Sequence, residues 1–338
     1  MAAASTVLCT LGVCAYYYRT LRNMHTALRA EAVRKNELAM ELMMTRNKFM
    51  HTSESVCVGH AFTPQASDVF IVTYPKCGTT WMMQIVHALR SGSSMDYGEI
   101  TEVVPWDILA YDCGQNLDDR QVAVPRAFKS HEGWRDIPKG GRYIYVARDP
   151  FDAFVSFYKF LPAYTGLRHG DITYEQFADA IFAGTSHSGQ IWSHFLGWWE
   201  RRHDHNVLWI FFEDLKDDLA GSIRRIAQWL GLPCDAARLE EVVRVSSFEF
   251  MSAAQHAHHF DDHFVRSFVL PKMGLPPDGT DKARPPSVSK VRKGAVGGRS
   301  AIPASVQFRL KQRWDEVMAP ATGCSTYEEL RALVHADA

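Results

Sequence analysis

The sequence lacks an excess of charge of either sign, and its cysteines follow no regular spacing. It has 37 Lys and Arg against 38 Asp and Glu in 338 residues, a formal net charge of −1. A nearly neutral chain gives no electrostatic argument for binding nucleic acid, so any anion site must come from a local cluster of cations. The seven cysteines include no CxxC pair, which argues against zinc and a disulfide framework and favours a reducing compartment.

Only the start of the chain comes near to a membrane-spanning segment. Residues 2–18 are uncharged and mostly small or apolar, and Arg19 and Arg22 follow them. This stretch lies at the lower limit of length for crossing a bilayer. In a secretory signal the basic residues precede the apolar stretch, whereas here they follow it. Two alternatives stay open: a membrane anchor that leaves the rest of the chain in the cytoplasm, and a disordered or helical tail.

Composition divides the chain into an N-terminal segment and one large globular domain. The sequence is 46% hydrophobic and 22% charged, which suits a domain with a substantial core. We expect residues 1–50 to form the apolar segment and a solvated helical stalk, because 19–50 are rich in Leu, Met, Ala, Arg and Glu and contain no Pro or Gly. Residues 60–338 then form the globular domain.

Short apolar strands alternate with helical stretches along that domain. The predicted strands are 69–73, 127–129, 143–147 and 207–212. The predicted helices are 151–161, 173–183, 189–203, 215–231, 303–318 and 325–336. This alternation predicts an α/β fold, in which helices flank a parallel sheet on both faces. Residues 252–300 lose the periodicity and are predicted to be a long loop or lid.

Polar residues that follow the strands are expected to meet in one crevice. Ligands of open parallel sheets bind at the carboxyl ends of the strands. Lys76, His131, Arg148 and Phe212 each end or follow a predicted strand. We therefore expect these four side chains to lie near one another.

The turn after the first strand has the composition of an anion site. It reads Tyr74-Pro75-Lys76-Cys77-Gly78-Thr79-Thr80-Trp81 and opens a helical pattern. Amides at a helix N-terminus, a lysine and two hydroxyls suit a phosphate or sulfate ester. The turn is not a Walker A sequence, which ends in Gly-Lys-Ser/Thr, because Lys76 precedes the only glycine. An ordinary strand-to-helix turn is the alternative.

Two further stretches carry cations suited to a second anion. Arg148 ends a strand, and Ser156 lies in the helix that Asp149 and Pro150 begin. Arg148 pairing with a neighbouring aspartate is an equal alternative. Residues 290–299 hold four basic residues and three glycines, which allow bidentate contacts and close backbone approach to a phosphate. By itself this second stretch is a weak signal.

Together these stretches, from about Asp68 to Gly298, resemble the cytosolic-type sulfotransferases, which use 3′-phosphoadenosine 5′-phosphosulfate (PAPS) as sulfuryl donor. TYPKCGTTW is similar to the family's loop TYPKSGTTW, and YVARDPFDAFVSFY is similar to its 3′-phosphate segment. Ser247-Phe248 with Met251 matches SFxxM, and Arg292-Lys293-Gly294 matches RKG. The order of these motifs is that of the family, so 60–338 is identified as a sulfotransferase domain with a P-loop-like sheet.

The resemblance implies a role for each matched residue of the donor site. The phosphosulfate would contact Lys76, Cys77, Gly78, Thr79 and Thr80. The adenine side would be formed by Trp81, Phe212, Ser246 and Phe248. The 3′-phosphate would be bound by Arg148, Ser156, Arg292, Lys293 and Gly294.

The resemblance also implies how the acceptor reacts. Phe128-Lys129-Ser130-His131 stands where the family has a strand ending KTH, so His131 would be the general base for a hydroxyl or amine acceptor. Lys129 and Lys76 would stabilise the developing charge, so no metal is expected. Trp106 and Phe160 would line the acceptor pocket, and aromatic walls suit a flat or lipophilic small molecule.

Several features depart from the family pattern or admit other interpretations. Cys77 replaces the usual serine, and a packing substitution is the main interpretation. The alternative is an oxidation-sensitive site, which would require a lowered pKa of the thiol. The family's dimer motif is not recognisable after RKG, so the oligomeric state stays open. The histidines of 256–263 resemble a metal cluster but lack helical spacing. The tryptophans at 192, 198 and 199 are expected in the core.

Two other functions remain as alternatives to sulfuryl transfer. A P-loop nucleotide kinase would have a Walker A sequence, which is absent. A catalytically silent PAPS-binding protein would keep the donor site without needing Lys76 and His131, both of which are present.

Overall fold

Four parallel strands form the sheet of the computed structural model, in the order β2-β1-β3-β4. The structure describes residues 19–20, 22–24, 26–27, 31, 34–184, 188–277, 290–291 and 297–337. The strands are β1 (Val69–Thr73), β2 (Ala127–Ser130), β3 (Arg142–Ala147) and β4 (Val207–Phe211). All four predicted strands and the predicted α/β fold are therefore confirmed, and Phe212 belongs to the helix that follows β4.

The register of the sheet brings the carboxyl ends of β1 and β2 together. Val69 pairs with Ala127 on one side and with Arg142 on the other, and Val72 pairs with Ser130. Every residue of β1 is buried, as expected for a strand covered on both faces. The chain segments that leave β1 and β2 thus begin beside each other.

Helices surround this sheet and connect its strands. Their bounds are α1 (34–48), α2 (Ser53–Ala61), α3 (Thr79–Ser91), α4 (Ile100–Val103), α5 (Pro150–Tyr164), α6 (Tyr174–Phe182), α7 (Ile191–Trp199), α8 (Phe212–Asp217), α9 (Leu219–Leu230), α10 (Ala236–Ser246), α11 (Phe248–Ser252), α12 (His263–Lys272), α13 (Ala304–Arg313), α14 (Ala319–Thr322) and α15 (Tyr327–Asp337). Short 3₁₀ turns lie at Tyr111–Cys113, Ala257–Phe260 and Gly298–Ala301, and a π-helical turn at Trp314–Met318.

Alternate residues of each strand face two different cores, as the period of a strand requires. Phe70 and Tyr145 face a core that α5, α6 and α7 complete, and that core holds the three tryptophans at 192, 198 and 199. Ile71 and Val146 face a second core, which α3, α9 and α10 complete. The expected core position of the three tryptophans is confirmed, and the molecule is a helix–sheet–helix sandwich.

Two helix boundaries follow from local capping. Asp149 accepts hydrogen bonds from the amides of Phe151 and Asp152, at 2.6 and 3.3 Å, and Pro150 is the first residue of α5. The single helix predicted over 215–231 is instead two helices, α8 and α9. Asp218 separates them, because its side chain accepts the Gly221 amide at 2.8 Å and starts α9.

The prediction of a loop throughout 252–300 is wrong for residues 263–272, which form α12. Val265, Val269 and Leu270 of this helix are buried in a third apolar cluster, which also contains Trp106 and Tyr164. Their spacing is helical, but the surrounding histidines and Pro271 obscured it. Tertiary burial of these three side chains stabilises a helix that composition did not indicate.

The predicted solvated stalk is wrong where α1 reaches the domain. Ala39 and Met43, four residues apart on one helical face, are buried in the first core. Arg46 donates a hydrogen bond to the carbonyl of Thr165 at 2.7 Å. The division into 1–50 and 60–338 stays a prediction. Residues 2–18 lie outside the described residues, and no described helix is long and apolar enough to cross a bilayer.

Candidate active site

A cavity of about 410 Å³ lies at the carboxyl edge of the sheet. It collects most of the residues predicted for the donor, the base and the acceptor. These are Lys76, Gly78, Thr79, Thr80, Trp81, Trp106, Lys129, His131, Arg148, Ser156, Phe160, Phe212 and Phe248. The side chains of Cys77 and Ser246 are not among its walls, and Arg292, Lys293 and Gly294 lie outside the described residues.

The loop between β1 and α3 has a backbone conformation that few residues tolerate. Gly78 has φ of 103°, and a Cβ added there would lie 2.9 Å from Cδ2 of Phe212. Lys76 also has a positive φ, 71°, which is strained for a residue with a side chain. The Lys76 carbonyl accepts a hydrogen bond from Arg148 Nη1 at 2.9 Å. Arg148 thereby joins the loop to the end of β3, as the sequence predicted for their positions.

The imidazole of His131 is fixed by the last residue of β1. Its Nδ1 lies 2.8 Å from the carbonyl oxygen of Thr73. A carbonyl only accepts hydrogen bonds, so Nδ1 carries the proton and Nε2 is the nitrogen with a free lone pair. Burial and the neighbouring Lys129 lower the pKa of His131 well below 6.5. His131 is therefore neutral at pH 7, which is the state a general base requires.

Two lysines, Lys76 and the buried Lys129, line the same cavity as His131, and each lies against an aromatic ring. Lys129 Nζ lies 3.4 Å from the ring centroid of Trp106, and Lys76 Nζ lies 3.8 Å from that of Phe160. The Trp106 ring also meets His131 edge-on, with centroids 5.0 Å apart. Burial, followed by repulsion from other cations, lowers the pKa of Lys76 to about 7 and that of Lys129 to about 7. A bound anion would restore their full charge.

Aromatic rings line the part of the cavity predicted for the adenine. Trp81 meets Phe212 edge-on at 5.5 Å and donates from Nε1 to the Ser246 carbonyl at 2.7 Å. The Arg148 guanidinium lies 4.1 Å from the Phe212 centroid. Ser246 Oγ is buried, and none of the described residues forms a hydrogen bond with it. Phe248 begins α11, whose N-cap is Ser247.

Cys77 belongs to the core rather than to the cavity wall. Its side chain is 2% exposed and packs in the first core. Burial raises the pKa of the Cys77 thiol to about 12, and a neutral thiol reacts slowly with oxidants. These observations favour the packing substitution over an oxidation-sensitive site.

Part of the predicted second anion site is described. Asp152 of α5 accepts hydrogen bonds from the amides of Gly297 and Gly298, at 2.9 and 2.6 Å. A Cβ at Gly298 would lie 3.1 Å from the Asp152 carboxylate, so glycine permits this close approach. The chain that follows the Arg292-Lys293-Gly294 motif is thus attached to α5 one helical turn from Ser156.

Several cavity residues were missed by sequence reasoning. They are Asn47, Met50, His51, Tyr164 and Asp262, whereas Lys290 is one of the four basic residues of the predicted 290–299 stretch. Asp262 lies in the histidine-rich stretch considered for metal binding, and no sequence signal indicated that its carboxylate faces the cavity. The nearby histidines make other contacts: His256 stacks on Phe250 at 3.8 Å, and His263 Nδ1 lies 2.8 Å from Asp261.

The parallel sheet brings a strand-to-helix loop, two lysines and a histidine to one cavity, an arrangement suited to the transfer of an anionic group. Residues 66–267 match the sequence model of the sulfotransferase domain, and the chain belongs to this family. The resemblance to cytosolic-type sulfotransferases is thereby confirmed.

Curated relatives and solved structures agree with that assignment. Mouse sulfotransferase 4A1 is 31% identical over 219 residues, which cover 62% of this chain and 72% of that protein. Rabbit amine sulfotransferase is 32% identical over 209 residues, which cover 59% and 67%. The crystal structure of mouse sulfotransferase SULT7A1, complexed with PAP, has a TM-score of 0.58 at 23% identity and covers 84% of this chain and 94% of that chain. At that identity the structural match shows the fold.

Proposed function

We propose that this protein transfers a sulfuryl group from PAPS to a hydroxyl or amine of a small-molecule acceptor, with His131 as the general base. The observation that carries the proposal is the hydrogen bond from His131 Nδ1 to Thr73, which leaves Nε2 unprotonated in a cavity that Lys76 and Lys129 also line. Membership of the sulfotransferase family supports the reaction class.

The residues present fit the donor in charge and shape. Lys76, Thr79 and Thr80 offer an ammonium and two hydroxyls to the 5′-phosphosulfate. Arg148 and Ser156 offer a guanidinium and a hydroxyl to the 3′-phosphate, and the Arg292-Lys293-Gly294 motif would complete that site. The adenine would lie against Trp81, Phe212 and Phe248, and the Ser246 carbonyl, which accepts from Trp81 Nε1, would hold that ring in place. PAPS supplies the sulfuryl group when bound.

His131 and the lysines then act on the acceptor and on charge. His131 Nε2 accepts the proton from the acceptor O–H or N–H, while its Nδ1–H stays bound to Thr73. Lys76 and Lys129 hold positive charge at the same end of the cavity, where they stabilise negative charge that develops during transfer. Because the fold holds both lysines in the cavity, their side chains need to move little as the negative charge develops.

The acceptor pocket is aromatic. Trp106 and Phe160, the two residues proposed for it, line the cavity, and Tyr164 adds a third ring 5.1 Å from Phe160. Such walls suit a flat or lipophilic acceptor. Retinol dehydratase, solved in complex with retinol and PAP, is a structural neighbour at 20% identity with a TM-score of 0.55. The binding of retinol together with PAP by that neighbour supports a small lipophilic molecule as the first class of acceptor to test.

The test uses radiolabelled PAPS with pooled hydroxylated and aminated metabolites. We expect label transfer by the full chain, loss of more than about 99% of the rate in His131→Ala, since a general base contributes about 100-fold or more, and no loss in His203→Ala, which alters an exposed histidine far from the cavity. Transfer that survives in His131→Ala would refute the base. PAPS binding without transfer to any acceptor would favour the silent binder, and transfer from γ-labelled ATP would favour the kinase.

The cytosolic type that the chain resembles supports the cytoplasm as its compartment. Membrane attachment through residues 2–18 stays a prediction, and so does the oligomeric state. Fractionation of the full-length chain decides the first: recovery entirely in the soluble fraction would remove the anchor hypothesis.

A further inference from the structure

We propose that Lys290 is a third cation that contacts the transferred sulfuryl group, and that Asp262 positions it. This inference rests on the proposed function. It concerns two residues outside the matched motifs, which meet in the cavity at the end where the acceptor reacts.

The side chain of Asp262 does not cap α12, although aspartate usually does so at this position. Asp262 is the N-cap residue of α12, yet its side chain makes no capping hydrogen bond. Its φ of 70° is strained for a residue with a Cβ. The carboxylate, 3% exposed, instead pairs with Lys290 Nζ and accepts a hydrogen bond from the Tyr164 hydroxyl at 3.1 Å. Strain kept at a cavity wall in this way is typical of functional positions.

A continuous set of contacts connects this pair to the anion loop. Lys76 Nζ lies 3.8 Å from the Phe160 centroid, and the Phe160 and Tyr164 rings are 5.1 Å apart. Tyr164 binds Asp262, which binds Lys290. All five residues line the cavity. Lys290 therefore shares the cavity with Lys76 and Lys129 and lies close enough to lower the pKa of both, at the end where the proposed function puts the sulfuryl group.

The charges in this cluster favour the binding of an anion. Lys290 is the cation that most strongly lowers the pKa of both other lysines after burial, so the three ammonium groups repel one another. Asp262 offsets part of that repulsion. Glu99, also buried nearby, has its pKa raised to about 8 by burial and by Asp262, so it is mostly neutral at pH 7 and leaves the excess positive charge in place.

A purely structural role for Lys290 makes a different prediction. If Lys290 only neutralised the buried Asp262, its removal would destabilise the protein and would weaken PAPS and PAP alike. PAP is the donor without its sulfuryl group. If Lys290 contacts that group, its removal weakens the binding of PAPS but not of PAP. The ratio of the two dissociation constants therefore separates the two roles.

The experiment measures both dissociation constants for the full chain without acceptor, by calorimetry. We expect Lys290→Met to weaken PAPS about tenfold, a typical loss for one charge-assisted contact, with PAP changed by less than about threefold. Lys290→Arg should restore most of the PAPS affinity. Asp262→Asn should lower the PAPS-to-PAP preference partly, because the lysine remains but is no longer held.

Two further variants control for damage to the fold. Lys272→Met removes a lysine from another ion pair of α12, with Asp112 at 2.5 Å, outside the cavity. It should leave both constants unchanged. The double variant Lys290→Met with Asp262→Asn removes the unpaired buried carboxylate and should still lose the preference for PAPS.

Each result bears on one of the two proposals. A preference for PAPS that Lys290→Met leaves unchanged, while the wild type still transfers label, overturns the role of Lys290 and keeps the proposed function. Failure of the folded wild type to bind either nucleotide overturns the proposed function first.

Discussion

The Nδ1 of His131 lies 2.8 Å from the carbonyl oxygen of Thr73, the last residue of β1. The register of the sheet explains this contact, because Val72 pairs with Ser130 and the residues that follow them, Thr73 and His131, are therefore neighbours at the same edge. Thr73 Oγ1 also lies 2.6 Å from Thr79 Oγ1. A single strand end therefore sets the tautomer of His131, the proposed base, and contacts the first turn of α3, the helix proposed to bind the phosphosulfate.

Donor binding should weaken as pH rises above 7. Burial lowers the pKa of Lys76 and Lys129 to about 7, so both are charged below that pH and lose protons above it. Binding an anion at higher pH then requires that a lysine take up a proton. For one such lysine, the affinity for PAP should fall at least about tenfold between pH 7 and pH 9. His131 stays neutral over this range, since its pKa lies well below 6.5.

Calorimetric titration of PAP across that pH range checks this expectation. The matched variant is Lys129→Arg, because a guanidinium keeps its charge at pH 9. It should show a shallower loss of affinity with pH. An affinity that is constant from pH 7 to pH 9 in the wild type would contradict the lowered lysine pKa values.

Gly78→Ala should disrupt the anion loop. The new Cβ meets Phe212 at 2.9 Å, and φ of 103° is strained for alanine. We expect about 1–3 kcal/mol less stability in urea unfolding and at least about tenfold weaker PAP binding, equivalent to about 1.4 kcal/mol.

Gly231→Ala is the control for backbone strain alone. Gly231 has φ of 70° at the end of α9, and a Cβ there would have no atom within 4 Å. It should lower stability without changing PAP affinity. Equal PAP affinity in Gly78→Ala and wild type would refute the loop as the phosphosulfate site.

Ser246→Ala should affect stability and donor affinity in opposite directions. Removing a buried hydroxyl that has no partner among the described residues leaves the free protein as stable as before or slightly more stable. The resemblance to the family assigns Ser246 to the adenine site, so loss of its hydroxyl should weaken PAP binding about fivefold, the contribution of about one neutral hydrogen bond. Thermal unfolding and calorimetry give the two values.

The control is Ser91→Ala, which removes another buried hydroxyl without a described partner, at the end of α3 outside the cavity. It should leave PAP affinity unchanged. Ser246→Ala with unaltered PAP affinity would remove Ser246 from the adenine site.

Met43→Ala should show that α1 is part of the folded domain. Met43 is 1% exposed in the first core, and a cavity left by a buried methionine costs about 2–5 kcal/mol. Leu38 lies on the same helix and is 58% exposed, so Leu38→Ala should change the free energy of unfolding by less than about 0.5 kcal/mol. Equal, small effects of both substitutions in urea unfolding would favour a solvated stalk.

The sequence alone determined the sheet and the motifs that surround its carboxyl edge. Each strand is a short apolar run bounded by turn residues, so a local pattern sufficed to find all four. The loop from Lys76 to Thr80, Arg148 and His131 each follow a strand directly, and a parallel sheet places such residues together whatever the details of packing.

Only the tertiary structure decided the contacts that depend on distant parts of the chain. The tautomer of His131 follows from the register of β2 against β1, and the packing of Met43 follows from where α1 meets the core. The side chain of Asp262 does not cap α12, because it binds Tyr164 and Lys290 in the cavity instead. A local pattern contains no information about such partners, because the direction of a side chain is set by the groups that surround it in space.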